Sequence, residues 1–296
     1  MPKKSDSRLF CFGLGYSARA LAERLMARGW SVAGTTRSAE KAADLAAAGM
    51  DAFLFDRGRP LDDPGAALAG ATHLISSVPP DADGDPVIGH HGSDIAACQT
   101  IAWAGYLSTT GVYGDRGGGW VDEDSALEPT GERGLRRIEA EQAWLELHRV
   151  HGVPVHLFRL AGIYGPGRNA LANVRAGAAR RIDKPGQVFG RIHVDDIAAV
   201  LEASIARPNP GRAYNLCDDD PAPPAEVVAY ACEMLGQAPP LLIPFEEAEL
   251  SDMARSFYRD NKRVANGRIK EELGVTLAYP DYKTGLKALL AAGDGS

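Results

Sequence analysis

Short apolar runs alternate along the chain with longer stretches in which apolar residues recur at helical spacing. The first run, residues 9–12, is followed by a helical pattern that includes Ala20, Leu21 and Leu25. Further runs predict one strand from residue 103 and others at residues 30–36, 52–55, 72–78, 153–160 and 213–217. Helical patterns between the runs lie at residues 39–48, 133–152, 197–205 and 224–235. Strands that alternate with helices favour a parallel sheet joined by right-handed crossovers.

A glycine-containing turn separates the first strand from the first helix. Gly13 permits a tight turn, Gly15 lets the backbone approach a phosphate, and Ala18 is small enough for the helix to pack on its strand. The N–H groups at the start of the helix, at Tyr16 and Ser17, add a partial positive charge. These five residues are the predicted pyrophosphate site of a dinucleotide, and a plain strand-to-helix turn is the alternative.

The end of the second strand indicates which dinucleotide is bound. An acidic residue here would hold the ribose hydroxyls of NAD, whereas an arginine accommodates the 2′-phosphate of NADP. This chain has no carboxylate at that point and places Arg37 there, beside the hydroxyl groups of Thr35, Thr36 and Ser38. We therefore predict NADP as the cofactor, with NAD as the second choice. A solvated loop arginine is the alternative interpretation of Arg37.

The next two strands also end in candidate cofactor residues. Asp56 ends the third strand, and Ser76, Ser77 and Val78 end the fourth before a pair of prolines. The carboxyl ends of parallel strands meet at one edge of the sheet, so we expect these residues near the adenine and the ribose.

These patterns predict an α/β fold with a doubly wound Rossmann sheet of about seven parallel strands. After residue 236 the pattern changes to short helical pieces punctuated by prolines, which indicates a small C-terminal lobe. The predicted NAD(P)-binding domain comprises residues 1–167 and 186–236. The predicted substrate-binding lobe, interleaved with it, comprises residues 168–185 and 237–296.

Composition excludes several classes of partner. The formal net charge is -7, and basic residues occur only in short mixed clusters, which argues against a nucleic-acid surface. No apolar run approaches the roughly 20 residues that cross a bilayer, and the apolar stretch after Lys3 and Lys4 is too short for a signal peptide. We therefore expect a cytoplasmic protein with no membrane or nucleic-acid partner.

Cysteine and histidine spacing does not favour a metal site. The four cysteines, Cys11, Cys98, Cys217 and Cys232, are scattered without a Cys-x-x-Cys pair and are typical of reduced thiols. His90 and His91 are adjacent, so their side chains diverge, and no third ligand is spaced nearby. We predict no metal and place this histidine pair in a loop or at a helix start.

The run Ser-Thr-Thr-Gly-Val-Tyr-Gly at residues 108–114 resembles a signature of the extended short-chain dehydrogenase/reductase family. That family includes the NAD-dependent sugar-nucleotide epimerases and dehydratases. Residues 159–167, 191–196 and 214–216 carry further matches at corresponding intervals, so the resemblance covers nearly the whole chain. It implies that Thr109, four residues before the tyrosine of the signature, is the active-site hydroxyl.

One departure from the family concerns its catalytic Tyr-x-x-x-Lys pair. Counting back from Ala140-Glu141 places Arg133 at the tyrosine position and Arg137 at the lysine position. A guanidinium does not exchange protons near neutral pH, so Arg133 cannot replace a phenol, whereas Arg137 could still hydrogen-bond the nicotinamide ribose. The alternative is that both arginines lie on a solvated helix face. Tyr-x-x-x-Lys spacings at Tyr258 and Tyr279 lie beyond the last Rossmann strand and are interpreted as chance matches.

The resemblance also indicates where a substrate would bind. The predicted substrate-binding residues are Tyr113, Tyr164, Asn169, Arg191, His193 and Arg263. Asp195 and Asp196 precede a helix, and either could be its N-cap or a contact to the ligand.

Three functions remain open from the sequence, of which the third is a purely structural role without nucleotide affinity. The first is an NADP-dependent oxidoreductase or epimerase/dehydratase-like enzyme for a small carbonyl or nucleotide-sugar-like substrate. In that enzyme the proton would come from His193, Tyr113, Tyr164 or water. The second is an NADP-binding protein without turnover, a redox sensor or a partner-binding module. A helix-mediated homodimer would fit the resemblance, and the sequence leaves the oligomeric state open.

Overall fold

The computed structural model describes residues 7–294. Its strands are β1 (Arg8–Phe12), β2 (Ser31–Thr36), β3 (Asp51–Leu54), β4 (His73–Ser76), β5 (Trp103–Thr109), β6 (Trp120–Val121), β7 (Val155–Leu160), β8 (Gly162–Tyr164), β9 (Arg181–Asp183), β10 (Arg191–His193), β11 (Ala213–Leu216), β12 (Leu242–Pro244) and β13 (Arg263–Val264). Its α-helices are α1 (Tyr16–Ala27), α2 (Ala39–Ala47), α3 (Pro64–Leu68), α4 (Pro86–Ala97), α5 (Glu132–His151), α6 (Ala170–Arg175), α7 (Val194–Ala206), α8 (Pro224–Met234), α9 (Asp252–Phe257), α10 (Gly267–Glu271) and α11 (Tyr282–Ala291). Short 3₁₀ helices cover Thr110–Tyr113 and Phe245–Glu247.

Seven parallel strands form the central sheet in the order β11-β7-β5-β4-β1-β2-β3. The chain builds outward from β1 to β3 and then returns with β4 on the other side of β1. Leu9 of β1 accordingly pairs with Val32 on one side and His73 on the other. This order confirms the predicted Rossmann fold, whose switch point lies between β1 and β4.

The first apolar run in the sequence corresponds to a strand, β1, that is covered on both faces. Leu9, Phe10, Cys11 and Phe12 of β1 are fully buried, as expected for the middle of a parallel sheet. The carboxyl ends of β1 to β5 lie at one edge because the strands are parallel. The residues that follow those ends are therefore the candidates for ligand contacts.

The chain divides into two compact units. Unit 1 comprises Met1–Thr109, Leu135–Arg159 and Ile197–Tyr214. Unit 2 comprises Thr110–Gly134, Leu160–Asp196 and Asn215–Ser296. These boundaries differ from those of the two domains predicted from the sequence. That one domain binds the cofactor and the other the substrate stays a prediction.

In unit 1 a buried ion pair fastens α5 to the sheet. Arg159 Nη2 of β7 lies 2.8 Å from Glu141 Oε2 of α5, and Ser108 Oγ of β5 donates to Glu141 Oε1 at 2.6 Å. The Arg159 and Glu141 side chains are only 6% and 3% exposed. Removing one partner of such a pair typically costs about 3–5 kcal/mol, because the other charge stays buried.

Unit 2 contains short parallel strand pairs and its own core. The pairs are β8 with β10, β9 with β12, and β6 with β13. A cluster that includes Tyr164, Leu171, Tyr282, Leu286 and Leu289 joins α6, α8 and α11. Within residues 7–294, no helix has the length and apolar character needed to cross a membrane.

Candidate cofactor site

Side chains from β2 and from the end of β4 hold the glycine turn after β1. Gly13 has φ +78°, and a Cβ there would lie 2.9 Å from Ser77 Oγ. Its N–H donates to Thr35 Oγ1 at 2.8 Å, and Ser77 Oγ donates to its carbonyl at 2.5 Å. Leu14 N–H also donates to the Thr35 carbonyl at 2.8 Å. Because both sides of the turn are anchored, its backbone is preorganised.

Gly15 is the N-cap of α1 and faces open space. It has extended backbone angles, φ -93° and ψ -165°, and no side chain caps the helix. Among the described residues, a Cβ at this position would meet only the Gly13 carbonyl oxygen, at 4.0 Å. The first turn of α1 contains no acidic residue. The space that a side chain would fill, at an uncapped helix N-terminus, fits an anionic pyrophosphate.

The other predicted residues of this turn differ in exposure. Tyr16 is 36% exposed, whereas Ser17 and Ala18 are buried. The small side chain at residue 18 therefore lies on the packed face of α1, as the sequence motif predicts.

Arg37 follows β2 directly and is exposed. Of the three hydroxyl residues beside it, Thr35 accepts the Gly13 N–H, and Ser38 caps α2 by accepting the Lys41 N–H at 3.1 Å. The hydroxyls of Thr35 and Ser38 therefore have structural partners. Arg37 is the cation of this loop.

Asp56 lies in a turn that closes on itself. Its Oδ1 accepts the Gly58 N–H at 3.0 Å, and its Oδ2 lies 2.9 Å from Arg59 Nη2. The same Arg59 nitrogen donates to the Arg37 carbonyl at 2.9 Å. Arg59 was not predicted from the sequence, because its contact with Arg37 joins residues 22 positions apart.

The three residues at the end of β4 have distinct positions. Ser76 is fully buried, and its hydroxyl has no hydrogen-bond partner within residues 7–294. Ser77 braces the glycine turn, and Val78 is half-buried. A Cβ at Gly13 would lie 3.1 Å from Val78 Cγ2, so Val78 borders the same turn. Contact of these residues with the adenosine stays a prediction.

Thr109 is the last residue of β5 and is half-buried. Neighbouring side chains on a strand point to opposite faces. Ser108 points toward Glu141 of α5, so Thr109 points to the other face of the sheet. The structure thus assigns the Ser108 hydroxyl to the buried ion pair.

Arg137, at the predicted lysine position, is fastened to β5. Its Nη1 donates to the Tyr106 hydroxyl at 3.1 Å and to the Leu107 carbonyl at 2.9 Å. Tyr106 is fully buried, and burial raises the pKa of its phenol, so it stays protonated. A role for Arg137 at the nicotinamide ribose stays a prediction.

Arg133, at the predicted tyrosine position, is exposed and lies in unit 2. Its guanidinium carbon is 5.4 Å from the centroid of the Phe257 ring of α9, a cation–π arrangement. This contact gives the arginine a fixed place without any proton-transfer chemistry.

Tyr113 in unit 2 is fully buried and takes part in a polar network. Its hydroxyl donates to Asn215 Oδ1 at 2.7 Å, and the Asn215 N–H donates to Glu123 Oε1 at 2.8 Å. Burial raises the pKa of Glu123. Asn215 and Glu123 were not among the predicted site residues, because their link to Tyr113 spans up to 102 positions.

His193 and Tyr164 come together in unit 2. His193 is 1% exposed, and its ring centroid lies 5.1 Å from that of Tyr164 and 3.9 Å from that of Tyr279. Its Nδ1 accepts the Asp195 N–H at 3.2 Å, whereas its Nε2 is buried without a hydrogen-bond partner in the part of the chain that is described. Burial lowers the pKa of His193, so the imidazole is neutral at pH 7.

Asp196 is not the N-cap of α7, and its contact to a ligand stays a prediction. Helix α7 begins at Val194, before both aspartates. Asp196 Oδ1 accepts the Ala278 N–H at 2.8 Å, and its Oδ2 accepts the Tyr279 N–H at 3.0 Å. Its carboxylate therefore anchors the segment before α11 and does not cap α7. Asp195 also lies inside the first turn of the helix.

Arg191 lies beside a buried carboxyl group. Its Nη1 donates to the carbonyls of Phe189 and Ala222 at 2.8 and 3.1 Å. Asp218 Oδ1 accepts the Arg191 N–H at 3.3 Å, and its Oδ2 is buried without a hydrogen-bond partner within residues 7–294. Burial raises the pKa of Asp218 to about 8.

The two remaining predicted substrate residues have structural contacts. Asn169 is the N-cap of α6, with Oδ1 accepting the Ala172 N–H at 3.0 Å and Nδ2 donating to the Gly165 carbonyl at 2.9 Å. Arg263 donates to the Gly118 carbonyl. Both contacts position loops of unit 2, and substrate binding by these residues stays a prediction.

The adjacent histidines lie within α4, at its fifth and sixth residues. His90 Nε2 contacts the Arg57 carbonyl at 2.8 Å, and His91 Nε2 accepts the Leu61 N–H at 3.1 Å. The expected loop or helix-start position is therefore wrong by about one helical turn. Within residues 7–294, no group of three or more histidine, cysteine or acidic side chains could hold a metal ion.

Known proteins resemble this chain over most of its length. Residues 96–217 match the NAD dependent epimerase/dehydratase family. Protein YeeZ of Escherichia coli (strain K12) is 31% identical over 281 residues, which is 91% of this chain and 95% of that protein. A functionally unknown conserved protein from Silicibacter pomeroyi is 50% identical, with a TM-score of 0.90 over 97% of this chain and 99% of its own.

A more distant structure shares the fold. UDP-glucuronic acid 4-epimerase from Bacillus cereus, solved in complex with NAD, is 14% identical, with a TM-score of 0.75 over 95% of this chain and 96% of its own. The protein belongs to the NAD-dependent epimerase/dehydratase family, as the sequence motifs indicated.

Proposed function

We propose that the protein is an NADP-dependent oxidoreductase or epimerase/dehydratase-like enzyme that acts on a small carbonyl compound or a nucleotide-sugar-like substrate. The observation that carries the proposal is the open space at Gly15, beside an uncapped helix N-terminus. The Bacillus cereus epimerase was solved with NAD, which supports a nicotinamide dinucleotide. Arg37, with no carboxylate beside it in the loop after β2, supports the 2′-phosphate.

In the proposed enzyme, different residues of unit 1 would bind different parts of the cofactor and the substrate. The N–H groups at the start of α1 would bind the pyrophosphate, and Arg37 would bind the 2′-phosphate. When bound, the nicotinamide supplies hydride transfer. Thr109 would hydrogen-bond the reacting oxygen and orient it, because its side chain lies on the face of the sheet away from the buried Glu141.

Calorimetric titration with NADPH and NADH tests the cofactor. A charge-assisted hydrogen bond from Arg37 is typically worth about 1.5–3 kcal/mol, so Arg37→Ala should weaken NADPH binding roughly tenfold to a hundredfold. NADH binding should change little. Equal affinities of the native protein for both cofactors, or a variant that keeps the full preference, would show that Arg37 does not select NADP.

Turnover tests the assignment of Thr109. NADPH oxidation is measured with a panel of carbonyl compounds and nucleotide sugars. Loss of a preorganised donor can cost up to about 100- to 1000-fold in rate, so Thr109→Val should lower turnover while leaving cofactor affinity unchanged. Thr109→Ser keeps the hydroxyl and is the matched control. Turnover that survives Thr109→Val unchanged would refute this site.

A second function, NADP binding without turnover, has its own observation. Arg133 and Arg137 stand where the family has its proton donor and lysine, and Arg137 is fastened to Tyr106 and Leu107. The double substitution Arg133→Tyr with Arg137→Lys rebuilds the family pair. New carbonyl reduction in the rebuilt protein, absent from the native one, would favour the binding function. Native turnover that the rebuild destroys would favour the enzyme.

A further inference from the structure

Two arginines meet where β2 and β3 end. Thr36 and Leu54 pair in register, and Phe55 N–H donates to the Thr36 carbonyl at 3.0 Å, so the ladder holds the strand ends together. Immediately beyond, Arg59 Nη2 donates to the main-chain carbonyl of Arg37 at 2.9 Å. Arg37 and Arg59 therefore lie on one small patch at the carboxyl edge of the sheet.

The charge of this patch is positive. Arg59 Nη2 also contacts Asp56 Oδ2 at 2.9 Å, while the other carboxylate oxygen accepts the Gly58 N–H. Two arginines and one aspartate give a formal charge of +1. Ser38 caps the N-terminus of α2, which follows Arg37, and Glu40 lies in the first turn of that helix.

Arg59 retains capacity to bind an anion. Its side chain is 43% exposed despite the contact with Asp56. Its Nε is buried and has no hydrogen-bond partner within residues 7–294. Both of its hydrogen bonds start from Nη2 and hold the guanidinium beside the Arg37 backbone. The head group is thus positioned before any ligand arrives, which lowers the entropy cost of binding.

We propose that Arg59 is a second ligand of the 2′-phosphate of NADP, acting with Arg37, and that Asp56 is a positioning residue for it. This inference rests on the proposed function. A phosphate monoester carries about -1.5 to -2 charges at pH 7, so Arg37 alone would leave roughly one charge uncompensated. A second guanidinium adds donors in a fork geometry suited to phosphate.

The test uses two ligands that differ only in the 2′-phosphate: adenosine 2′,5′-bisphosphate and adenosine 5′-monophosphate. Calorimetric titration of the native protein should show tighter binding of the bisphosphate. Arg59→Ala should weaken bisphosphate binding about tenfold and leave monophosphate binding nearly unchanged. Arg59→Lys keeps the charge but not the fork, so it should lose less.

Arg149→Ala is the matched control. Arg149 is exposed and pairs with Glu146 three residues away, as Arg59 pairs with Asp56, but it lies in the last turn of α5. That turn precedes β7 and so lies at the amino edge of the sheet. Its removal should leave both affinities unchanged. Unfolding temperatures of all variants check that the fold is intact.

The outcomes separate the two proposals. Equal native affinity for both ligands would overturn the NADP preference, and this inference with it. A native preference for the bisphosphate that Arg59→Ala leaves intact would overturn the inference alone. An equal loss of affinity for both ligands in the Arg59 variants would also overturn the inference. It would show that Arg59 maintains the conformation of the turn and does not bind the 2′-phosphate.

Discussion

The glycine turn after β1 and the start of α5 use different parts of the chain for their predicted roles. In the turn the binding groups are main-chain N–H groups, placed by Thr35 and Ser77. At the start of α5 the family relies on two side chains, and counting back from Ala140-Glu141 predicts Arg133 and Arg137 at those positions. The turn has the backbone geometry that its predicted role needs, whereas the residues at the predicted positions on α5 lack the proton donor of the family.

The difference shows which changes a fold tolerates. A backbone site depends on a few small residues and on the hydrogen bonds that hold the turn, so many neighbouring substitutions leave it intact. A catalytic pair depends on the chemistry of its own side chains, and replacing them changes the reaction without changing the fold. Membership of the NAD-dependent epimerase/dehydratase family therefore indicates the backbone geometry of the glycine turn more strongly than it indicates a reaction.

The largest expected effect breaks the backbone site directly. Gly15→Val places a side chain in the space assigned to the pyrophosphate and should abolish NADP binding, with the fold retained because Gly15 has backbone angles that valine adopts. The measurement is the rise in unfolding temperature on adding NADP.

Gly131→Val is the control for this substitution, since a Cβ at Gly131 meets nothing within 4 Å and this loop lies outside the glycine turn. The control should keep the full NADP-induced stabilisation. A Gly15→Val protein that NADP still stabilises would mean that the phosphates bind elsewhere.

A smaller effect tests whether the Glu141–Arg159 pair anchors α5 to the sheet, whatever residues stand at positions 133 and 137. Glu141→Gln leaves Arg159 buried beside a neutral partner and should lower the free energy of unfolding by about 3–5 kcal/mol. Glu146→Gln, on the same helix with an exposed arginine partner, should change it by less than about 1 kcal/mol. Denaturant unfolding of both variants gives the comparison. Equal losses would show that the buried pair contributes no more than an exposed one.

The smallest expected effect concerns the buried Asp218 of unit 2. Its pKa rises from an ordinary value of 3.8 to about 8 in the fold, so folding favours the protonated form. Stability from this group is complete below pH 4 and is lost as the pH rises through 8. Asp218→Asn removes that loss, so the variant should unfold a few degrees higher than the native protein at pH 9 but not at pH 4.

Asp219→Asn is the neighbouring control, because Asp219 is half-exposed and pairs with Lys270 at 2.6 Å. It should not reproduce the gain at high pH. The same unfolding temperature for Asp218→Asn and the native protein at every pH would contradict a protonated Asp218.

The sequence predicted the first strand, the glycine turn and the first helix because every signal they need is local. An apolar run, two glycines and a helical pattern follow one another within residues 9–25, and each has a direct structural meaning. The parallel Rossmann sheet was also predicted from local patterns, since alternating strands and helices leave few topologies.

The contacts that position individual side chains could not be predicted in this way. Asp196 binds the N–H groups of residues 278 and 279, more than 80 positions away, and Tyr113 binds Asn215 across 102 positions. Arg59 reaches Arg37 only because β2 and β3 are neighbours in the sheet. Such contacts depend on the packed fold, and a pattern along the chain does not encode their partners.

The most direct test of the account is a crystal structure of the protein with NADPH. We expect the pyrophosphate at Gly15 and the start of α1, the 2′-phosphate at Arg37, and the Thr109 hydroxyl facing nicotinamide C4. A dinucleotide bound away from Gly15, or a 2′-phosphate with no arginine contact, would contradict the claim that this chain keeps a backbone-built NADP site while its catalytic pair has changed.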